Sequence, residues 1–477
     1  MVARELKART KEALLAHELF SAMPPWEMVK ALLSLMVTDG VSQFGEELEL
    51  GIFDISRAHF IPEADRELYI EIPEEDRSAE DGDCIGRLKH MMYGMRTAAN
   101  AWMRDWQKVL EFAGYAVGRA NPALFYNKQR DSRGAVHGDD FYVLGGRTAV
   151  DHIASVLAAK YDMRESYRLG FGAHCKSAAR VLNRVVSLHF QNGRKVVQIE
   201  PDARHADLII RTLGLDGDKT KTLSHPSAKP EDSDVERFKF SPVLPPESAT
   251  SYRSNVMRAS FVAQDRADLG EAVKRLAQHM SKPTVAAMEE LKRLGRYLKG
   301  QRSVALRFEQ QRKPTALRVS VDSDFAADRA TRRSTTGMVQ RLGQHPIKAS
   351  SNLQGPKGLN VSESEYYALV HGAAHGLGCQ AYLKDLGVDV KLVIESDSNA
   401  ARAFASRKGL GKQRHVQTRF LWLQDQVAMR SLHLERISGQ RNVADILTKK
   451  TTTEALRRHL TTLGYKEVAR HALQLKD

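Results

Sequence analysis

The sequence predicts a multidomain protein of mixed architecture, with an α+β part first and an α/β unit last. Three observations lead there. At 477 residues the chain exceeds what one hydrophobic core usually serves, so two to four domains are expected. Short strand-like segments and amphipathic helices alternate through the first 165 residues or so. From about Thr315 the order becomes strand, strand, helix, strand, helix, helix, strand, helix, which suits an α/β unit of one domain's length. Apolar residues make up 42% and charged residues 27%, a globular balance that excludes a mostly disordered chain.

The elements follow in order. Leu32, Leu33, Leu35, Met36 and Val37 form a buried-looking helical stretch ending at the turn signal Asp39-Gly40. ELELGIFDIS reads as a strand, and ELYIEIP as a second alternating piece. Ala98, Trp102, Trp106 and Leu110 recur at helical spacing, with Gly114 as the stop. Leu124–Tyr126 and Ala135–Leu144 read as short strands, the second interrupted by Gly138-Asp139-Asp140. Val150, Ile153, Val156, Leu157 and Tyr161 mark an amphipathic helix. Between Leu213 and Ser251 five of the chain's 15 prolines fall among Ser, Asp and Lys, so a connector is expected. Helices are expected over Tyr252–Met280 and Thr284–Lys299. In the last region LRVSV alternates as a strand, Glu363–Leu386 reads as a helix, and Lys391–Ser396 and Leu432–Ile437 read as strands. Trp102 and Trp422 are expected as core anchors. The predicted boundaries are 1–165, 166–314 with a linker over about 214–251, and 315–477.

Charge and cysteines narrow the setting. With 72 Lys and Arg against 58 Asp and Glu the net charge is +14, which suggests a polyanionic partner, although solubility alone accounts for such an excess in other proteins. Cys84, Cys175 and Cys379 lie far apart, supply no zinc pattern and fit a reducing compartment. No apolar run approaches the ~18 residues that cross a bilayer, and MVARELKARTK lacks the apolar stretch of a secretory signal. An intracellular location, cytoplasmic or nuclear, and no membrane partner are expected.

Two sets of acids carry the chemistry. Phe53-Asp54-Ile55 places an acid at a strand end, and His137-Gly138-Asp139-Asp140-Phe141 places two adjacent acids in a tight turn. Neighbouring aspartates repel unless a cation sits between them, but Gly and Asp are also ordinary turn formers. Gathered at strand ends, the three acids could hold two Mg²⁺ ions, or Mn²⁺. One ion would activate a primer 3′-hydroxyl and the other would hold a triphosphate and leaving group. In the last region Asp322 follows LRVSV, Glu365 lies on a helix, Asp397 ends KLVIES and Asp445 starts a late helix. Such acids can converge at one sheet edge, where two metals roughly 4 Å apart would activate a water against a phosphodiester. Each is otherwise a surface or capping residue, and Asp397 alone makes a reasonable N-cap. Gly372, Gly376 and Gly378 weaken their helix by up to ~1 kcal/mol each unless they allow close packing.

These residues sit in a wider resemblance. FDISRAHFIPEADRELYIEIP resembles the segment around the first catalytic aspartate of copia-type retrotransposon reverse transcriptases. GRLKHMMYGMRTAANAW resembles that family's LYGLKQAPRAW motif, and VHGDDFYVLG its YVDD turn. YRSNVMRASFVAQDRADLGEAVKRLAQHMSKPT, followed by LKRLGRYLKG, is similar to the stretch joining polymerase to ribonuclease H. VDSDFAADRATRRSTTGMV, VSESEYYAL, ESDSNAA and NVADILTKK resemble the family's ribonuclease H, in the same order.

The resemblance implies a right-hand palm and thumb of reverse-transcriptase type, then a ribonuclease H-like α/β domain with a mixed sheet. It implies an RNA template, a DNA primer, deoxynucleoside triphosphates and an RNA–DNA hybrid as partners, with two Mg²⁺ per site. Asp54, Asp139 and Asp140 become the polymerase metal ligands, with Tyr93 and Gly94 along template and nucleotide. Asp322, Glu365, Asp397 and Asp445 become the hydrolase ligands. Glu365 is preferred over Glu363 because Tyr366-Tyr367-Ala368-Leu369 follows it, and Asp322 over Asp324 because it comes directly after the strand. Two departures stand out. His59 occupies the position where a bulky aromatic excludes a ribose 2′-hydroxyl, and His137 replaces the aromatic that opens the YVDD turn.

VARELK resembles the middle of that family's fingers; Lys7, Arg9 and Lys11 are read first as a solvated helix face and otherwise as a remnant of its basic contacts, and integrase and protease parts, where the element encodes them, are expected upstream of this stretch. Arg407, Lys408, Lys412, Arg414 and Arg419, with His415 among them, form an acid-free basic run. It is either a solvated face or a contact to hybrid phosphates, which positions a strand without reading it. The alternative to an active enzyme is a truncated relic that binds nucleic acid, or one that keeps ribonuclease H activity only.

Overall fold

The computed structural model describes residues 16–38, 41–228 and 234–468. The expected Asp39-Gly40 turn and Lys7, Arg9 and Lys11 lie outside them. The described residues divide into two compact units, one holding 16–32, 41–176 and 384–388, the other 33–38, 177–228, 234–383 and 389–468.

Helices α1 (Ala16–Leu19) and α2 (Trp26–Met36), the last turn of α2 counting with the second unit, precede strand β1 (Leu48–Ile55) of the first. Strands β2 (Tyr69–Glu71) and β3 (Ile85–Arg87) pair as a separate antiparallel ribbon. Then come α3 (Ala98–Phe112), β4 (Ala116–Val117), β5 (Leu124–Asn127), β6 (Ser132–His137), β7 (Asp140–Gly146), α4 (Arg147–Ala158) and β8 (Met163–Gly170). They build a six-stranded antiparallel sheet of order β4-β5-β6-β7-β1-β8. The helical spacing of Trp102, Trp106 and Leu110 on α3 and of Val150, Ile153 and Leu157 on α4 puts each set on one face. These faces share a core with Phe53, Phe141 and Val143. Trp102 is thus a core anchor, whereas Trp422 is only half-buried. Gly138 takes a left-handed φ of 69° at the first position of the β6–β7 turn, as two-residue hairpins favour.

The second unit opens with strands absent from the sequence reading: β9 (Ala178–Val181), β10 (Arg184–Gln191) and β11 (Arg194–Glu200). After α5 (Ala203–Thr212), α6 (Asp234–Phe240), α7 (Pro246–Ala263), α8 (Gly270–Ala277) and α9 (Val285–Gly300), β12 (Val304–Glu309) pairs with β11. Ile209, Tyr252, Val256, Leu276, Leu291 and Leu294 gather the helices into one core. Two expectations change here. The connector is partly helical, since α6 lies within it and α7 starts at Pro246 rather than Tyr252. Proline at the first helical position lacks only an N–H that has no intrahelical partner there. The single helix over Tyr252–Met280 is broken between α7 and α8, where buried Arg184–Asp265 and Arg266–Asp268 pairs at 2.8 and 2.7 Å hold the intervening chain.

The remaining elements are β13 (Ala316–Ser323), β14 (Thr335–Leu342), β15 (His345–Leu353), α10 (Val361–Asp385), β16 (Lys391–Ser396), α11 (Asn399–Ala405), α12 (Trp422–Ala428), β17 (His433–Arg436), α13 (Thr453–Thr462) and β18 (Tyr465–Glu467). The sheet order is β15-β14-β13-β16-β17, antiparallel from β15 to β13 and parallel from β13 to β17. Gly372 lets α10 approach this sheet, because a Cβ there would lie 2.4 Å from Val321 Cγ1. β18 returns to pair with β12, and the segments on either side of position 314/315 lie in the same compact unit. The break between the units falls at 176/177, not at 165/166, because β8 completes the first sheet. Among the described residues no helix is long and apolar enough to cross a membrane.

Candidate functional site

Two carboxylate clusters emerge, one in each unit. In the second unit the parallel pairing of β13 with β16 brings Asp322, near the end of β13, alongside Asp397, which directly follows β16. Glu365 comes from the second turn of α10. One ligand oxygen from each of Asp322, Glu365 and Asp397 lies within 4.8 Å of the others. Asp322 and Glu365 are only 2% and 7% exposed. Burial pushes the Asp322 carboxyl up to about 7, with Asp445 and Asp397 adding to the effect and Lys449 and Thr448 opposing it. Burial, then Asp322 and Asp397, push Glu365 up to about 9. Its Oε2 is buried without a hydrogen-bond partner. Adjacent buried acids of this kind suit a hard divalent cation with oxygen ligands.

Asp445 stands beside this trio but outside it. It lies in a short 3₁₀ helix over Val443–Leu447 capped by Asn442, and this is the helix the sequence reading starts there. Lys449 Nζ sits 3.4 Å from Asp445 Oδ1 and 3.7 Å from Asp322 Oδ2, and the Thr448 hydroxyl donates to Asp322. Sequence reasoning missed both residues, although the four-residue spacing from Asp445 to Lys449 is a legible pairing signal. The competing acids are used elsewhere. Asp324 accepts from the Thr335 N–H at 2.7 Å, and Glu363 accepts from the Tyr367 hydroxyl at 2.5 Å. The cap of α11 is Ser398, whose hydroxyl accepts from the Ala401 N–H, so Asp397 is not spent on capping. His415, expected on substrate, pairs with Glu363 at 2.7 Å and is exposed. Arg414 is exposed.

In the first unit β1 lies beside β7, and Asp54 is the register partner of Asp140. Asp139 occupies the turn, where its carbonyl accepts from the Ile55 N–H at 3.1 Å. The Trp102 indole donates to the Gly138 carbonyl at 2.9 Å and ties the turn to α3. Burial pushes Asp140 up to about 6; the Tyr142 hydroxyl opposes the shift, and Asp139 and Asp54 add to it. Burial and Asp139 also raise Asp54, against Arg164, its neighbour on β8. No motif marks Arg164, and sequence reasoning missed it. The Asp139 charge acts on both Asp54 and Asp140, but among the described residues the three acids do not bring one oxygen each within 4.8 Å. Asp139 is exposed. The His59 ring lies 4.7 Å from that of Tyr93. Burial lowers His59, with Asp139 opposing. Burial raises Tyr93, with Asp139 and Asp54 adding to it. Gly94 follows with a φ of 92°, and His137 pairs with Asp140 across the hairpin.

No protein-family profile matches the chain. It is 25% identical over 419 residues to the retrovirus-related Pol polyprotein from transposon RE2 of Arabidopsis thaliana, a match covering 86% of this chain and 27% of that protein. It is 22% identical over 461 residues to the corresponding polyprotein from transposon TNT 1-94 of Nicotiana tabacum, covering 92% of this chain and 32% of the relative. The chain thus spans about a third or less of the length of these relatives. Among solved structures, the foamy viral protease-reverse transcriptase in complex with dsDNA aligns over 82% of this chain and 68% of its own, at 12% identity and a TM-score of 0.19. A likeness that weak carries no argument about fold. Along most of its length the chain is therefore similar to the Pol polyproteins of copia-type retrotransposons.

Proposed function

We propose that the chain is a reverse transcriptase joined to a ribonuclease H, and that hybrid cleavage is its better-supported activity. The observation that carries this reading is the compact trio of buried Asp322 and Glu365 with half-buried Asp397, in which Glu365 Oε2 has no hydrogen-bond partner. These three carboxylates, with Asp445 beside them, would hold Mg²⁺. The bound cation would supply Lewis-acid activation of a water and neutralisation of the leaving 3′-oxygen. Thr448 orients Asp322 through its hydrogen bond, and Lys449 offsets part of the negative charge. The exposed Arg414 would contact phosphates of an RNA–DNA hybrid, while His415 braces Glu363. The six-stranded sheet of the first unit would be the polymerase palm. There Asp54, Asp139 and Asp140 would hold Mg²⁺ for primer extension on RNA with deoxynucleoside triphosphates, and His59 packed on Tyr93 would face the sugar. The test is Mg²⁺-dependent cleavage of the RNA strand of a hybrid by the full chain. Cleavage lost in Asp397→Asn is the expected result. Equal cleavage by that variant, or none by the parent chain, would sink the reading.

A second reading, cleavage without extension, is favoured by the looser first cluster and its exposed Asp139. Primer extension on an RNA template, compared with Asp139→Asn, separates the two.

A further inference from the structure

We propose a second kind of metal site in the first unit: a Zn²⁺ site formed by Glu49, His174 and Cys175, with its fourth position open to water. It is distinct from both carboxylate clusters. Glu49 lies near the start of β1 and Asp54 near its end, and five residues of strand separate them by about 17 Å.

The three side chains already converge. His174 Nε2 is 2.6 Å from Glu49 Oε2, and Cys175 Sγ is 3.3 Å from the same oxygen. One ligand atom from each lies within 4.8 Å of the others. Around a tetrahedral Zn²⁺, bond lengths of about 2.0–2.3 Å put ligand atoms about 3.3–3.5 Å apart. The sulfur is in that range, and the imidazole needs to move by under about 1 Å. Glu49 is 2% exposed. Arg168 donates to its other oxygen, Oε1, at 3.1 Å, which fixes the carboxylate and leaves Oε2 for the metal, as outer-shell partners of metal ligands commonly do.

The backbone is shaped around the ligands. A Cβ on Gly170 would lie 2.8 Å from Cys175 Sγ, and one on Gly172 would lie 2.9 Å from the His174 ring. Glycine at both places leaves the room that the sulfur and the imidazole occupy. A thiolate, a carboxylate and a neutral imidazole together balance a dication, and the mixture of S, N and O donors selects Zn²⁺ over Mg²⁺. Burial and the hydrogen bond to Glu49 hold the Cys175 thiol up at about 12. Metal binding therefore forms an S–Zn bond and releases the thiol proton to solvent.

Titration of the reduced, chelator-treated full chain with Co²⁺ in excess Mg²⁺ tests the site. We expect one equivalent to bind with a thiolate-to-cobalt charge-transfer band and the visible bands of tetrahedral cobalt, both displaced by Zn²⁺. The spectrum should persist in Cys84→Ser and lose its thiolate band in Cys175→Ser. In His174→Asn affinity should fall about tenfold or more. His174 is partly exposed and Cys175 half-buried, so these variants should fold; a thermal melt of each checks this, and either one alone suffices for the test. Absence of a thiolate band in the parent chain, or a band unchanged in Cys175→Ser and an affinity unchanged in His174→Asn, overturns the proposal.

Discussion

The two acid clusters draw on similar residues and differ in how the fold holds them. Asp322 and Glu365 are buried between a strand end and a helix, and together with Asp397 they are compact enough to share a cation. Asp54 and Asp140 face each other across two strands, but Asp139 sits exposed in the connecting turn. A helix packed on a sheet fixes an acid from two directions, whereas a two-residue turn fixes one only through its own backbone. The first arrangement stores electrostatic strain that a cation relieves. The second stores less, consistent with the smaller rise at Asp140 than at Glu365.

The sharpest way to break the comparison is to silence one cluster at a time. Glu365→Gln should lower hybrid cleavage by roughly 10²–10³-fold, the cost of losing a preorganised charge-stabilising group, and leave primer extension unchanged. Asp139→Asn should do the reverse. If either variant abolishes both activities in parallel assays, the clusters do not act separately.

Next in size is Gly372→Ala. Its Cβ would meet Val321 at 2.4 Å, and such overpacking costs about 1–3 kcal/mol. The melting temperature should fall, with cleavage suffering more than extension, because α10 and β13 carry Glu365 and Asp322.

The pH dependence comes third. Unfolded carboxyls titrate near 4, whereas Asp322 and Glu365 are raised to about 7 and about 9. Without divalent cation their contribution to stability is therefore fully present below about pH 4 and lost as pH rises through 7 to 9. Mg²⁺ should raise the melting temperature more at about pH 8.5 than at about pH 6, and Glu365→Gln should flatten the difference. An equal Mg²⁺ shift at both pH values would contradict an account in which buried Asp322 and Glu365 hold the cation.

The smallest effect is expected from Lys449→Met. Lys449 is 51% exposed, so its ion pairs are worth at most about 1 kcal/mol and the melting temperature should barely move. Less Mg²⁺ should be needed for half-maximal cleavage, since a competing cation is gone. An increased requirement would show that Lys449 helps to bind substrate instead.

Much of this was legible in residue order, and the failures have physical causes. Strand-end acids announce themselves, and the structure brings together Asp322, Glu365 and Asp397. Pairing between distant residues is silent in sequence: nothing marks Glu363 as the partner of His415, 52 positions away. The β10–β11 hairpin was readable, because Asn192-Gly193 is a strong turn signal and both residues take positive φ, 51° and 73°. Proline density between Leu213 and Ser251 suggested a connector, but Pro245-Pro246 starts a helix, since proline's effect depends on its position. Cys175 showed no zinc spacing because its neighbour His174 lies on the same short loop while Glu49 comes from a strand 126 residues earlier.

The central claim is that the trio Asp322, Glu365 and Asp397 holds a divalent cation. Anomalous diffraction from crystals of the full chain soaked in Mn²⁺ tests it most directly. The account predicts a peak about 2–2.3 Å from oxygens of Asp322, Glu365 and Asp397, absent in Glu365→Gln. A vacant trio at saturating Mn²⁺, in a crystal where the three side chains keep their positions, would contradict it.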